Sequence, residues 1–132
     1  MPEVLDRFIR YVQIDTQSAR DSDTYPSTAK QLDLLRLLAE ELKQIGMQDV
    51  RMDHYGYVTA TLPANNGKAL PVVGFLAHVD TSPDASGANV NPRVIEHYDG
   101  GEIVLNAEEN IRLSPERFPD LRKYVGQTLV TT

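Results

Sequence analysis

The run Val72-Val73-Gly74-Phe75-Leu76-Ala77 contains no polar side chain, and it gives way at once to His78-Val79-Asp80-Thr81-Ser82-Pro83-Asp84. A continuous apolar run of this length predicts a strand buried on both faces, which requires elements packed above and below a sheet. Polar residues at the carboxyl end of such a strand stand where open α/β sheets usually hold their sites. An α/β fold follows if the flanking sequence supplies helices, and it does.

Val4, Leu5, Phe8, Ile9 and Val12 recur at steps of three and four, with Pro2 in the tolerated first-turn position, and predict a short amphipathic helix. Residues 15–27, rich in Asp, Ser and Thr and ending near Pro26, read as a surface loop. Leu32, Leu35, Leu38, Leu42 and Ile45 predict a second helix, with Ser27 as N-cap and Gly46 as the left-handed residue that ends it. Leu34 and Leu37 widen its apolar stripe, so the helix is expected to be covered on more than one side.

From Val50 the period becomes two. Val50–His54 and Tyr57–Leu62 predict a hairpin turning at Tyr55-Gly56 and stopped by Pro63. Beyond the central run, Arg93–His97 and Glu102–Leu105 flank Asp99-Gly100-Gly101 and predict a second hairpin. Ser114-Pro115-Glu116 is expected to open a short helix reaching Tyr124, and Thr128–Thr132 to form a last strand. A chain of 132 residues has room for one core.

Composition narrows the chemistry. There is no Cys, which excludes disulfides, thiolate nucleophiles and Cys-bound zinc, and fits a cytoplasmic protein. The net charge of −6 is spread along the chain with no basic stripe, so nucleic acid is not an expected partner. No apolar run is long enough to cross a membrane, and the first residues lack the basic start and apolar stretch of a signal peptide.

His78 and Asp80 stand two apart on an extended segment and therefore project from one face. A neutral imidazole is a common zinc ligand, and a carboxylate on its other nitrogen fixes the tautomer. The same spacing also suits a structural hydrogen-bonded pair. His54 and His97 lie in predicted strands with no second ligand at a recognisable spacing and read as structural. Asp84, Asp99, Glu108 and Glu109 read as turn-forming or solvated carboxylates. Ser82 and Ser86 have no evident base, and Gly100-Gly101 lacks the further glycines of a phosphate loop.

Several segments together resemble the dizinc exopeptidase family, which includes carboxypeptidase G2-like enzymes and aminoacylases. They are Arg7-Phe8, Tyr11-Val12, Asp15-Thr16-Gln17-Ser18, Pro26-Ser27-Thr28, Thr61-Leu62-Pro63-Ala64-Asn65, Gly74 through Asp84, Asn89-Val90-Asn91-Pro92 and Gly126 through Thr132. The 54 positions after His78 that pass without a Gly-x-Asp-Asp-Lys-x-Gly motif resemble the tripeptide-aminopeptidase branch of the family rather than the shorter acylase-type sequences.

The resemblance implies a partial zinc-exopeptidase catalytic domain, with a mixed sheet flanked by helices and without its C-terminal part and lid domain. Residues 1–132 would be its N-terminal portion. It implies two zinc ions per complete site, His78 as a ligand of one, and Asp80 as the active-site residue that holds its ring. The bridging aspartate, the Glu-Glu pair that supplies the general base, the later acidic ligand and the final histidine have no counterparts here. The complete enzyme would release the N-terminal residue of tripeptides and could be a homodimer, while the chain alone is expected to be inactive. A non-catalytic interaction module, or a fragment of a related dipeptidase or acylase, stays open at this point.

Overall fold

The computed structural model describes residues 3–132, so the expectation for Pro2 lies outside the described residues. They divide into two units, one ending at Asn89 and one running Val90–Thr132.

In the first unit α1 spans Glu3–Val12 and α2 spans Gln31–Gln44. The periodicity of α1 holds, with Leu5, Ile9 and Val12 half-buried and Val4 and Phe8 more exposed. Helix α2 is covered on two sides, as its wide stripe requires. Leu32 and Leu35 lie against Gly56 in the hairpin turn, and Glu41 receives hydrogen bonds from the side chains of Arg10 and Tyr11 on α1. Leu34 and Ala39 are the buried apolar residues of this unit.

The predicted ends of α2 fare differently. At its C-terminus the Gly46 N–H bonds Lys43 O and the Met47 N–H bonds Leu42 O, each at 3.0 Å, with Gly46 at φ +87°. This paired closure is the Schellman arrangement, and it requires the left-handed residue the sequence supplies. Ser27 does not cap the N-terminus. Tight turns through Thr28, Ala29 and Lys30 precede the first helical residue, and Ser27 Oγ instead accepts from the Ala19 N–H and from Gln31 Nε2, both at 3.1 Å.

Strands β1 (Gln48–Met52) and β2 (Val58–Thr61) form the expected antiparallel hairpin, with Met52 opposite Val58 and a bulge between Gln48 and Arg51. Asp53 makes the turn, its Oδ1 accepting the Tyr55 and Tyr57 N–H groups at 2.9 Å.

The buried strand predicted at Val72–Ala77 is absent. The segment is unpaired, and Val72, Phe75 and Leu76 are 99%, 95% and 97% exposed. A strand exists only through a neighbour that takes its backbone hydrogen bonds, and no described segment lies alongside this one.

In the second unit β3 (Arg93–Ile95) pairs antiparallel with β6 (Leu129–Thr131), placing Val94 opposite Val130. The predicted pairing of Arg93–His97 with Glu102–Leu105 does not form. His97 at φ 50° and Gly100 at φ 90° turn the chain, and Tyr98, only 2% exposed, fixes the corner by donating its hydroxyl to Gly101 O at 2.6 Å. Strand β4 (Ile103–Asn106) pairs instead with β5 (Ile111–Leu113), which the sequence reading passed over.

The helix expected from Ser114 begins later, as a 3₁₀ helix at Pro119–Tyr124. The residue before a proline is pushed to extended backbone, and Phe118, at φ −127° and ψ 77°, interrupts any continuous helix. Helices and short sheets are thus both present, but as three two-stranded antiparallel sheets rather than one mixed sheet.

Candidate functional site

The chain leaves the exposed apolar run at His78 and is caught again at Thr81. The Thr81 N–H donates to Thr16 O at 3.2 Å and the Ser18 N–H donates to Thr81 O at 3.0 Å, a parallel bridge centred on Gln17 and Thr81. Ser18 Oγ donates to the same carbonyl at 2.9 Å. Residues 15–18 therefore do more than the surface loop predicted for them, and Thr16 is buried beneath the bridge.

The loop itself is tied to the start of α2. Thr28 Oγ1 donates to Gln17 O at 2.7 Å. Lys30 Nζ reaches Asp15 Oδ2 at 2.8 Å, while Asp15 Oδ1 accepts the Gln17 N–H at 3.0 Å. The Lys30 ammonium, followed by that backbone N–H, holds the Asp15 carboxyl below its ordinary range. Gly87 packs so closely here that a Cβ would stand 2.8 Å from Asp15 Oδ1, which explains a residue without a side chain at this position.

His78 Nδ1 and Asp80 Oδ1 are 3.1 Å apart, the same-face pairing the two-residue spacing predicts. The His78 side chain is 85% exposed and that of Asp80 45% exposed. With Nδ1 engaged by the carboxylate, Nε2 is the ring nitrogen left to meet a ligand. That donor chemistry fits one position of a zinc site and no more, because no group of three or more His, Asp or Glu gathers around a common point among the described residues.

The other candidates separate from the pair. Asp84 is occupied by an ion pair with Arg20 and by Ser82 Oγ at 3.0 Å. Ser86 Oγ accepts the Ala88 N–H at 3.2 Å. His54 is exposed, its ring tilted by 42° against that of Tyr55 with centroids 3.7 Å apart. In the second unit His97 is exposed at its turn, Asp99 Oδ1 accepts the Gly101 N–H at 2.8 Å, and Glu108 and Glu109 sit on the exposed turn between β4 and β5. The sequence reading missed Gln17, whose amide donates to Pro83 O at 3.3 Å and to Ala85 O at 2.8 Å. The sequence signals at this position are a polar tetrad that breaks the apolar period just after α1 and the place of Asp15-Thr16-Gln17-Ser18 among the segments that carry the resemblance.

No family model matches the chain. Individual proteins do. It is 58% identical over 130 residues to Peptidase T of Geobacillus thermodenitrificans, an alignment covering 98% of this chain and 32% of that protein. Against Peptidase T of Desulfitobacterium hafniense it is 58% identical over 132 residues, 100% of this chain and 32% of the relative. Against Peptidase T of Clostridium acetobutylicum it is 56% identical over the same length and the same shares. The chain thus spans about a third of the length of the curated relatives it matches, and with 56–58% identity in alignments that cover essentially all of its residues it is a relative of peptidase T across that third.

Proposed function

We propose that this chain is the N-terminal portion of the catalytic domain of a zinc-dependent tripeptide aminopeptidase, a dizinc exopeptidase that releases the N-terminal residue of tripeptides in the cytoplasm and works as a homodimer. The observation that supports it best is the identity to Peptidase T along the whole chain, joined to a His78–Asp80 pair with the geometry of an oriented ligand. Identity alone would fit a sequence that had lost its chemistry; the pair keeps a chemical role in view.

In this reading His78 binds zinc through Nε2. Asp80 accepts from Nδ1–H, holds the ring in the binding tautomer and raises the basicity of Nε2. Zinc, when bound, polarises the scissile carbonyl and lowers the pKa of water. The remaining ligands and the glutamate that moves the proton lie outside these 132 residues, since a zinc site needs three or four protein ligands and one is recognisable here.

Zinc titrated into the 132-residue chain, with the His78 ring followed by NMR, tests the ligand assignment. The expected response is weak, centred on Nε2 and abolished by His78→Ala; a ring that ignores zinc overturns the assignment. The purified chain with zinc is also expected to leave tripeptides uncleaved. Appreciable turnover would show that it needs no outside ligands.

A further inference from the structure

We infer that Gln17 is a positioning residue for the His78–Asp80 pair. The inference rests on the ligand reading of that pair and adds the element that holds it in place.

The pair lies between two very different stretches of chain. Before it, Val72–Ala77 is unpaired and exposed, and supplies no fixed support. After it, the chain is anchored at Thr81, Pro83 and Ala85, and all three anchors converge on residues 16–18. The orientation of the His78 ring toward Asp80 therefore depends on the downstream side.

Gln17 is suited to that task because its amide faces two ways. Its Nε2 donates to the Pro83 and Ala85 carbonyls at 3.3 and 2.8 Å, while its Oε1 lies 3.4 Å from Lys30 Nζ at the start of α2. Its backbone is fixed independently, the N–H by Asp15 and the carbonyl by Thr28. One half-buried side chain thereby couples the site loop to the most regular helix of the unit. A carboxamide is required, since neither a carboxylate nor an apolar side chain of equal length could donate to two carbonyls.

Gln17→Glu isolates this role. It keeps the length and the Lys30 contact, removes both donors and sets a negative charge against two carbonyl oxygens. The readout is the tautomer of the neutral His78 ring, from its ring ¹⁵N shifts in alkaline solution. The wild-type ring is expected mainly as Nδ1–H, facing Asp80, and Asp80→Ala is expected to return it to the Nε2–H form preferred in solution. Gln17→Glu is expected to give most of the same shift with Asp80 intact, together with at least tenfold faster exchange of the Thr81 and Ser18 amides. A His78 tautomer that stays Nδ1–H in Gln17→Glu overturns the inference, whether or not the amides exchange faster.

Should Gln17→Glu lose the α2 amide signals, Thr28→Val, which removes the donor to Gln17 O and leaves Gln31 Nε2 its other acceptor at Ser27 Oγ, is read in the same way with the same two outcomes. A wild-type ring already in the Nε2–H form would instead overturn the ligand reading itself, so the two failures are distinguishable.

Discussion

Glu41 shows what a single side chain contributes to joining the two helices. At 7% exposure it is withdrawn from water on α2 and satisfied from α1 by the Arg10 guanidinium and the Tyr11 hydroxyl. A buried carboxylate with charged and neutral donors is worth more than a surface ion pair, and its removal takes this partner from the half-buried Tyr11 hydroxyl. Glu41→Ala is expected to destabilise the chain by about 2 kcal/mol in urea unfolding. Burial first, and then the Glu41 contact, raise the Tyr11 pKa above 10.0. Asp15 behaves in the opposite sense. Its pKa is depressed below 3.8, so its pairing with Lys30 contributes stability that is present above that ordinary value and lost as pH falls through the lowered one. Lys30→Met is expected to move the Asp15 midpoint upward toward its ordinary value, as read from its carboxyl ¹³C shift across an acid titration.

Elements follow local pattern where their partners are local. Helix α2 and the β1–β2 hairpin were legible because a helix satisfies its own backbone and a short hairpin needs only its neighbour in sequence. Gly46→Ala, which forces a Cβ into the left-handed closure of α2, is expected to lower stability by about 1 kcal/mol in the same unfolding measurement. Strand pairing at a distance was not legible: nothing in Arg93-Val94-Ile95 says that its partner is Leu129-Val130-Thr131 rather than the nearer Ile103-Val104-Leu105. Val72–Ala77 shows the same limit from the other side, since apolar continuity states what a segment needs and not whether the need is met. At the site, the His78–Asp80 pairing was legible from a two-residue spacing, whereas the Gln17 contacts close over 66 and 68 residues, and the polar tetrad around it does not say where its partners lie. An unpaired, charge-free β-prone segment invites association between copies. Phe75→Lys is expected to reduce self-association in light scattering while leaving the far-ultraviolet circular dichroism unchanged.

Across the whole molecule, burial is sparse. Leu34 and Ala39 in one unit and Tyr98 and Ile103 in the other are the buried apolar residues among those described, and none of them is sealed completely from solvent. Folded chains of ordinary size hold a margin of roughly 5–15 kcal/mol, and so shallow a pair of cores places this chain at or below the lower end. Urea unfolding of the 132-residue chain is expected to begin at low denaturant, without a long native baseline; a high midpoint with a steep transition would contradict that. The bridge between Gln17 and the loop after Asp80 acquires a temporal meaning in this setting. Helix α2 and the β1–β2 hairpin can form from neighbours, but joining Gln17 to Ala85 closes a loop across 68 residues, and its entropic penalty falls due before the contact returns anything. The order of assembly then runs from scaffold to chemistry: the histidine and aspartate are set last, onto a frame already standing.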